Sequence, residues 1–168
     1  VTAEGKAMHD IVDLYERIWM WASVALIVLF LGAILVGATS QAIRPPSHIE
    51  TVDPARLSEN PEFGHPGVTT RADGSVVVTM VAARFNFNPD PVKVPAGRPV
   101  TFRLTSADVI HGIEIVGTNA NAMIIPGYVS QFTTTFPKPG EYLVLCHEYC
   151  GLLHHGMVGK LIVEEDPS

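Results

Sequence analysis

The residues with the most chemistry in this chain stand close together near its end. They are Cys146, Cys150, His154 and Met157, within Cys146-His147-Glu148-Tyr149-Cys150-Gly151-Leu152-Leu153-His154-His155-Gly156-Met157. The two cysteines are the only ones in the sequence. Thiolate, imidazole and thioether donors suit copper, whereas magnesium and calcium take oxygen ligands. The loop is short, and Gly151 and Gly156 permit tight turns in it. Donors held nearly still suit the movement of electrons better than the making of bonds.

A fifth candidate donor, His111, lies upstream, after the alternating run Val100–Thr105 and the short segment Ser106-Ala107-Asp108-Val109-Ile110. In a Greek-key sandwich an upstream loop can lie beside a C-terminal one. One distant histidine with a late Cys–His–Met loop is the arrangement of a mononuclear blue-copper site. The second cysteine changes that reading. Two thiolates at a short fixed separation can bridge two metal ions, each then needing one imidazole, and His111 and His154 supply two. Met157 would be a weak axial donor to one ion, and a backbone carbonyl, that of Glu148, would serve the other. Sharing one electron over two ions spreads the change in charge, so bond lengths alter little and the reorganisation barrier falls. Two other readings of the same residues stand beside this one. A Cys146–Cys150 disulfide is compatible with an oxidising compartment, and a zinc site is compatible with two cysteines and two histidines but leaves Met157 unused. His147 and His155 are rival imidazoles. Neighbours in an extended loop point apart, which favours His154 over His155.

The elements that must position these donors follow from the rest of the chain. Its 168 residues suit one globular domain and a small extra element. The formal net charge of −6 argues against nucleic acid as a partner, because phosphate binding needs a basic face. Residues 45–168 carry 8 basic and 13 acidic residues, a net of −5 that suits a basic protein partner. Mean hydropathy is high at +0.26, and the excess lies near the N-terminus. Ile11, Leu14, Tyr15 and Ile18 fall at helical spacing, and no charged residue occurs from Ile18 to Ile43. The apolar heart, Trp19 to Ala38, is about 20 residues or roughly 30 Å as a helix, enough to cross a bilayer in contact with lipid. Residues 1–43 are therefore expected to form an N-terminal segment with one transmembrane helix, too long for a cleaved signal.

Residues 44–75 are rich in proline and glycine and read as an extended linker draped over a surface, a partner's among the options. From residue 76 to 168 the pattern changes to short strands: Val76–Ala83, Val92–Val94, Val100–Thr105, His111–Val116, Tyr128–Phe136, Tyr142–Cys146 and Val158–Glu164. Turn signals at Pro95-Ala96-Gly97, Pro126-Gly127 and Pro139-Gly140 punctuate them. The expected fold is an all-β sandwich or barrel behind one transmembrane helix.

Cys-x-x-x-Cys-x-x-x-His-x-x-Met, with Asp108-Val109-Ile110-His111-Gly112 upstream, resembles the CuA domain of cytochrome c oxidase subunit II. The single transmembrane segment, and Asp108–Gly117 followed by Thr118-Asn119, are most similar to the B-type haem–copper oxidases. The resemblance implies a cupredoxin-like Greek-key barrel and a dinuclear copper (CuA) centre of mixed valence. His111, Cys146, Cys150, His154 and Met157 match the side-chain ligands, and Glu148 the carbonyl ligand. It implies electron entry from cytochrome c and delivery to haem in a separate catalytic subunit I, where oxygen is reduced. It also implies a place in the cell membrane with the copper domain on the extracytoplasmic face. Tyr15-Glu16-Arg17-x-Trp19 resembles the stretch before the B-type anchor and makes Glu16 a candidate for a proton-path entry. In A-type members the glutamate at the position of Glu148 also binds magnesium, so a magnesium ion there is a further option. One departure concerns electron entry. A-type members use a surface tryptophan, but none follows Trp21 here, which leaves Phe85, Phe87 and the Leu152–Leu153 edge as candidates. Three other functions share these residues: a CuA subunit of a nitric oxide reductase, a tethered mononuclear blue-copper carrier, and a metal-free assembly module.

Overall fold

The structure, a computed structural model, describes residues 3–40 and 50–166. The chain divides into two units, residues 1–44 and 45–168. The first holds one helix, α1 (Ala3–Ser40), of 38 residues, or about 57 Å at 1.5 Å per residue. Its stretch His9–Thr39 has a mean hydropathy of 2.5, and none of its most apolar window is buried within the protein. It is long and apolar enough to cross a membrane. The polar first turns, with Asp10, Asp13, Glu16 and Arg17, continue the same helix before the apolar run begins.

The second unit is a sandwich of two five-stranded sheets. Its strands are β1 (Gly67–Thr70), β2 (Val76–Ala83), β3 (Asn86–Asn88), β4 (Val92–Pro95), β5 (Pro99–Ser106), β6 (His111–Ile115), β7 (Asn121–Ile124), β8 (Ser130–Thr135), β9 (Gly140–Leu145) and β10 (Val158–Glu164). One sheet runs β1-β2-β5-β8, with β3 pairing the far end of β2; the other runs β4-β10-β9-β6-β7. Val78, Met80, Phe102, Leu104 and Phe136 from one side meet Ile113, Ile115, Ile124 and Leu161 from the other, each 1% exposed or less. Alternation along β5 and β10 gives each strand one inward apolar row.

Residues 50–75 depart from the expected linker. Residues 53–63 hold a 3₁₀ segment, Pro54–Glu59, capped by the Asp53 carboxylate on the Ala55 N–H at 3.0 Å. An Asn60 side chain then accepts from the Glu62 and Phe63 N–H groups, both at 2.9 Å. This turn lets Leu57 and Phe63 bury against Val129, with Val52 and Val81, in a second small core on the outer face of the β2-β5-β8 sheet. Arg103 on β5 fastens the strap. Its guanidinium donates to both oxygens of Glu62, to Glu50 at 2.7 Å and to Gln131 at 2.7 Å. Proline density fits this segment because a strap running over a sheet makes few ladder bonds of its own. It also explains why β2 is buried on both faces: Thr79 donates to Glu62 and Val81 packs against the strap's small core, while Val76 and Val78 face the sandwich core. The expected boundary at 43/44 lies outside the described residues.

Candidate metal centre

Two adjacent strands bring the donors together. β6 and β9 pair antiparallel at Glu114–Leu145 and Ile115–Val144. His111, at the start of β6, therefore lies beside the chain that leaves β9 at Cys146. The loop 146–157 is closed at its base where the Cys146 N–H bonds the Met157 carbonyl at 3.2 Å. Inside it the chain turns through a 3₁₀ segment, His154–Gly156, with the His154 N–H on the Gly151 carbonyl at 3.0 Å. Leaving and re-entering one sheet on neighbouring strands fixes both ends of the loop.

Five side-chain donors and one backbone carbonyl converge. The two cysteines are free, with their Sγ atoms 3.9 Å apart, well beyond the roughly 2.05 Å of a disulfide. Cys146 Sγ is 3.9 Å from His111 Nδ1 and 3.2 Å from the Glu148 carbonyl oxygen. Cys150 Sγ is 3.5 Å from His154 Nδ1 and 3.6 Å from Met157 Sδ. Thiolate bonds of about 2.3 Å and imidazole bonds of about 2.0 Å, meeting tetrahedrally at one ion, put two sulfurs about 3.8 Å apart and a sulfur and nitrogen about 3.5 Å apart. The Cys146–Cys150 and Cys150–His154 spacings match these values, and the Cys146–His111 spacing of 3.9 Å is longer by about 0.4 Å. Each sulfur has its own imidazole, so the set can hold two ions as well as one.

His111 is fully buried, and Cys146, Cys150 and Met157 are buried with it. Burial first, and the neighbouring Cys146 second, push the Cys150 thiol up to about 11. Two adjacent buried sulfurs are costly as thiolates without compensating positive charge, which a bound cation supplies. His111 is oriented from behind: its Nε2 lies 2.8 Å from Asp108 Oδ1, so Nε2 carries the proton and Nδ1 presents its lone pair to the sulfurs. Burial raises the Asp108 carboxyl, but His111 and the N–H groups of Val109 and Arg84 outweigh it and hold it below the usual carboxylate range.

The structure separates the rival histidines. His154 is half-buried against Cys150, and its ring lies 5.8 Å from that of Tyr149. His155 is exposed. The His147 ring lies across Gly112, where a Cβ would fall 2.3 Å from it, so only glycine fits beneath the ring as it stands. Phe87 is a core residue at 3% exposure, whereas Leu152 is 87% exposed at the tip of the loop. Phe85 is half-buried and packs on Gly151, whose φ of 136° lies in the region that favours glycine. Glu16 sits on α1 with its side chain exposed. Glu148 is half-buried. Sequence reasoning did not single out Asp108 or Arg84 as site residues. The only signal was a carboxylate three residues before His111.

A two-sheet sandwich with sulfur and imidazole donors gathered at one end is a cupredoxin-like domain. A family described as "Cytochrome C oxidase subunit II, periplasmic domain" matches residues 77–165. Cytochrome c oxidase subunit 2 of Thermus thermophilus is 34% identical over 161 residues, covering 94% of this chain and 96% of that protein. A second Thermus thermophilus subunit 2 sequence is 38% identical over 123 residues, covering 72% of this chain and 91% of its own. Among solved structures, a chain of a haem–copper terminal oxidase dimer superposes with a TM-score of 0.73 at 34% identity, covering 89% of this chain and 99% of that one. The periplasmic domain of subunit II of a Bradyrhizobium japonicum cytochrome oxidase shares the fold, with a TM-score of 0.51 at 20% identity over 54% of this chain and 84% of that one. The chain belongs to the cytochrome c oxidase subunit II family, whose members are subunits of oxidoreductase complexes, the haem–copper oxidases.

Proposed function

We propose that this chain is the electron-entry subunit of a terminal haem–copper oxidase. It accepts electrons from cytochrome c at a dinuclear copper centre and passes them to haem in the catalytic subunit, where oxygen is reduced. The observation that carries this reading is the pairing of donors: two free sulfurs 3.9 Å apart, each with its own imidazole. A copper pair bound there supplies reversible storage of one electron. Cys146, Cys150, His111 and His154 would hold it, with Met157 and the Glu148 carbonyl as the weaker donors. The closed base of the loop and the burial of four of the side chains hold these atoms still and exclude water. Both effects keep the cost of reorganisation low.

In this reading α1 anchors the chain in the cell membrane as a single pass, in contact with lipid, and the β unit faces the extracytoplasmic side where cytochrome c is found. In the same reading Glu16, exposed on α1 just before the apolar run, is the candidate for the entry of a proton path into the catalytic subunit. A magnesium ion at Glu148 would need oxygen ligands from outside this chain. Among the described residues the grouped metal donors are His111, Cys146 and Cys150, and magnesium prefers oxygen. Cys150→Ser in the full chain, purified in detergent and loaded with copper, tests the central assignment. The variant should lose the two-copper absorption spectrum of the parent. An unchanged spectrum would remove Cys150 from the site and leave a mononuclear centre.

A further inference from the structure

The His111 side of the site is held by a relay that ends on an arginine. Asp108 receives His111 Nε2 at 2.8 Å and the Val109 N–H at 2.7 Å on Oδ1, with the Ser106 hydroxyl at 3.4 Å. Its other oxygen, Oδ2, receives the Arg84 backbone N–H at 2.8 Å and faces the Arg84 guanidinium, whose Nε lies 3.7 Å away as an ion pair. The Asp108 side chain is 27% exposed and that of Arg84 53%. The next residue, Phe85, lies against Gly151, directly after Cys150. The loop between β2 and β3 thus touches both halves of the site, one through Asp108 and the other through Phe85.

Resting on the copper reading above, we propose that Arg84 is a positioning residue that sets the reduction potential of the site through Asp108. A carboxylate on Nε2 makes the imidazole a better donor at Nδ1 and favours the more oxidised, more positive metal. A guanidinium 3.7 Å from the opposite carboxylate oxygen draws that charge away from His111 through its own charge and favours the reduced form. Aspartate and arginine therefore pull the potential in opposite directions along one line of contacts. One electron is taken up and later released, with no bond made or broken and no proton moved in the relay.

The test is a set of variants in the full chain, purified in detergent and loaded with copper. Arg84→Gln should lower the midpoint potential and Asp108→Asn should raise it. Each should change the electron-transfer equilibrium constant by about threefold or more, or about 28 mV at 59 mV per tenfold for one electron. Arg84→Lys should keep most of the parent potential. In the Asp108→Asn background, Arg84→Gln should change nothing further, because its route to the metal is gone. A lowered potential that persists in that background would make Arg84 a through-space charge and overturn the relay. A second readout uses the copper-free chain: the NMR signal of the His111 Nε2 proton should move in Arg84→Gln, and an unmoved signal also overturns the relay. A parent chain that takes up no copper pair overturns the copper reading and the relay with it. A normal copper pair with unmoved potentials overturns the relay alone.

Discussion

Replacing Arg103 by methionine should loosen the strap over residues 50–66 without touching the metal donors. Methionine keeps much of the apolar stem and removes every donor. Arg103 is 14% exposed, its partner Glu62 33% and Glu50 51%. The bond to Glu50 is largely in water and is worth under about 1 kcal/mol. The two-pronged hydrogen bond to Glu62 is half-buried, and a charge-assisted pair left without its cation costs roughly 1.5–3 kcal/mol, less its exposed share. The sum is about 2 kcal/mol, or a fall in Tm of about 6–10 °C for a unit of this size. The pH dependence has a definite sign. The Arg103 guanidinium holds the Glu62 carboxyl below its ordinary 4.5, against the cost of burial. A carboxyl lowered in the folded state contributes stability that is complete above the unfolded pKa and is lost as pH falls through the folded one. The parent should therefore lose stability below about pH 4.5 more steeply than Arg103→Met does. Thermal melts of the copper-loaded full chain between pH 3 and 7, with hydrogen exchange across residues 50–66, read both effects. A variant that melts with the parent, or exchange that rises across the core strands instead of the strap, would show that Arg103 does not fasten the strap.

Three further outcomes are expected. Gly151→Ala places a side chain at φ 136° and 3.1 Å from the Phe85 ring; it should cost roughly 1–3 kcal/mol of stability and weaken copper retention against a chelator, and a parent-like melt and retention would show that the loop adapts. Leu152→Asp, at the most exposed apolar position of the loop, should raise the KM for cytochrome c in the assembled oxidase and leave the copper spectrum alone; an unchanged KM would move the docking surface elsewhere. Glu16→Gln should slow proton uptake by the assembled oxidase while reduction of the copper centre by cytochrome c keeps its rate, and unimpaired proton uptake would end the role proposed for it.

The strands that were legible in the sequence are those whose side chains repeat a simple pattern. β2 and β10 begin and end where the β-branched and alternating runs do. β1, β3 and β7 escaped because they are three or four residues long, lie at an edge or the end of a ladder, and carry no sustained alternation of apolar and polar side chains. The strap escaped because its prolines outweighed its two apolar anchors. Leu57 and Phe63, set between an Asp53 cap and an Asn60 turn, were the available signal. Cys146, Cys150, His154 and Met157 were legible because rare, soft side chains stand at short spacing. His111 required the fold, since only the β6–β9 pairing brings it beside a sulfur 35 positions later. Arg84 was not legible at all: its contact with Asp108 spans 24 positions and depends on where a loop between two strands comes to rest.

The claim on which the proposed function depends is that this chain holds two copper ions with Cys146 and Cys150 among their ligands. Copper per chain and the EPR spectrum of the full chain, loaded in detergent, address it most directly. Two coppers per chain, with one unpaired electron split by both nuclei, is the predicted result. One copper per chain, with splitting from a single nucleus, would contradict the claim and make Cys150 a bystander beside a mononuclear site.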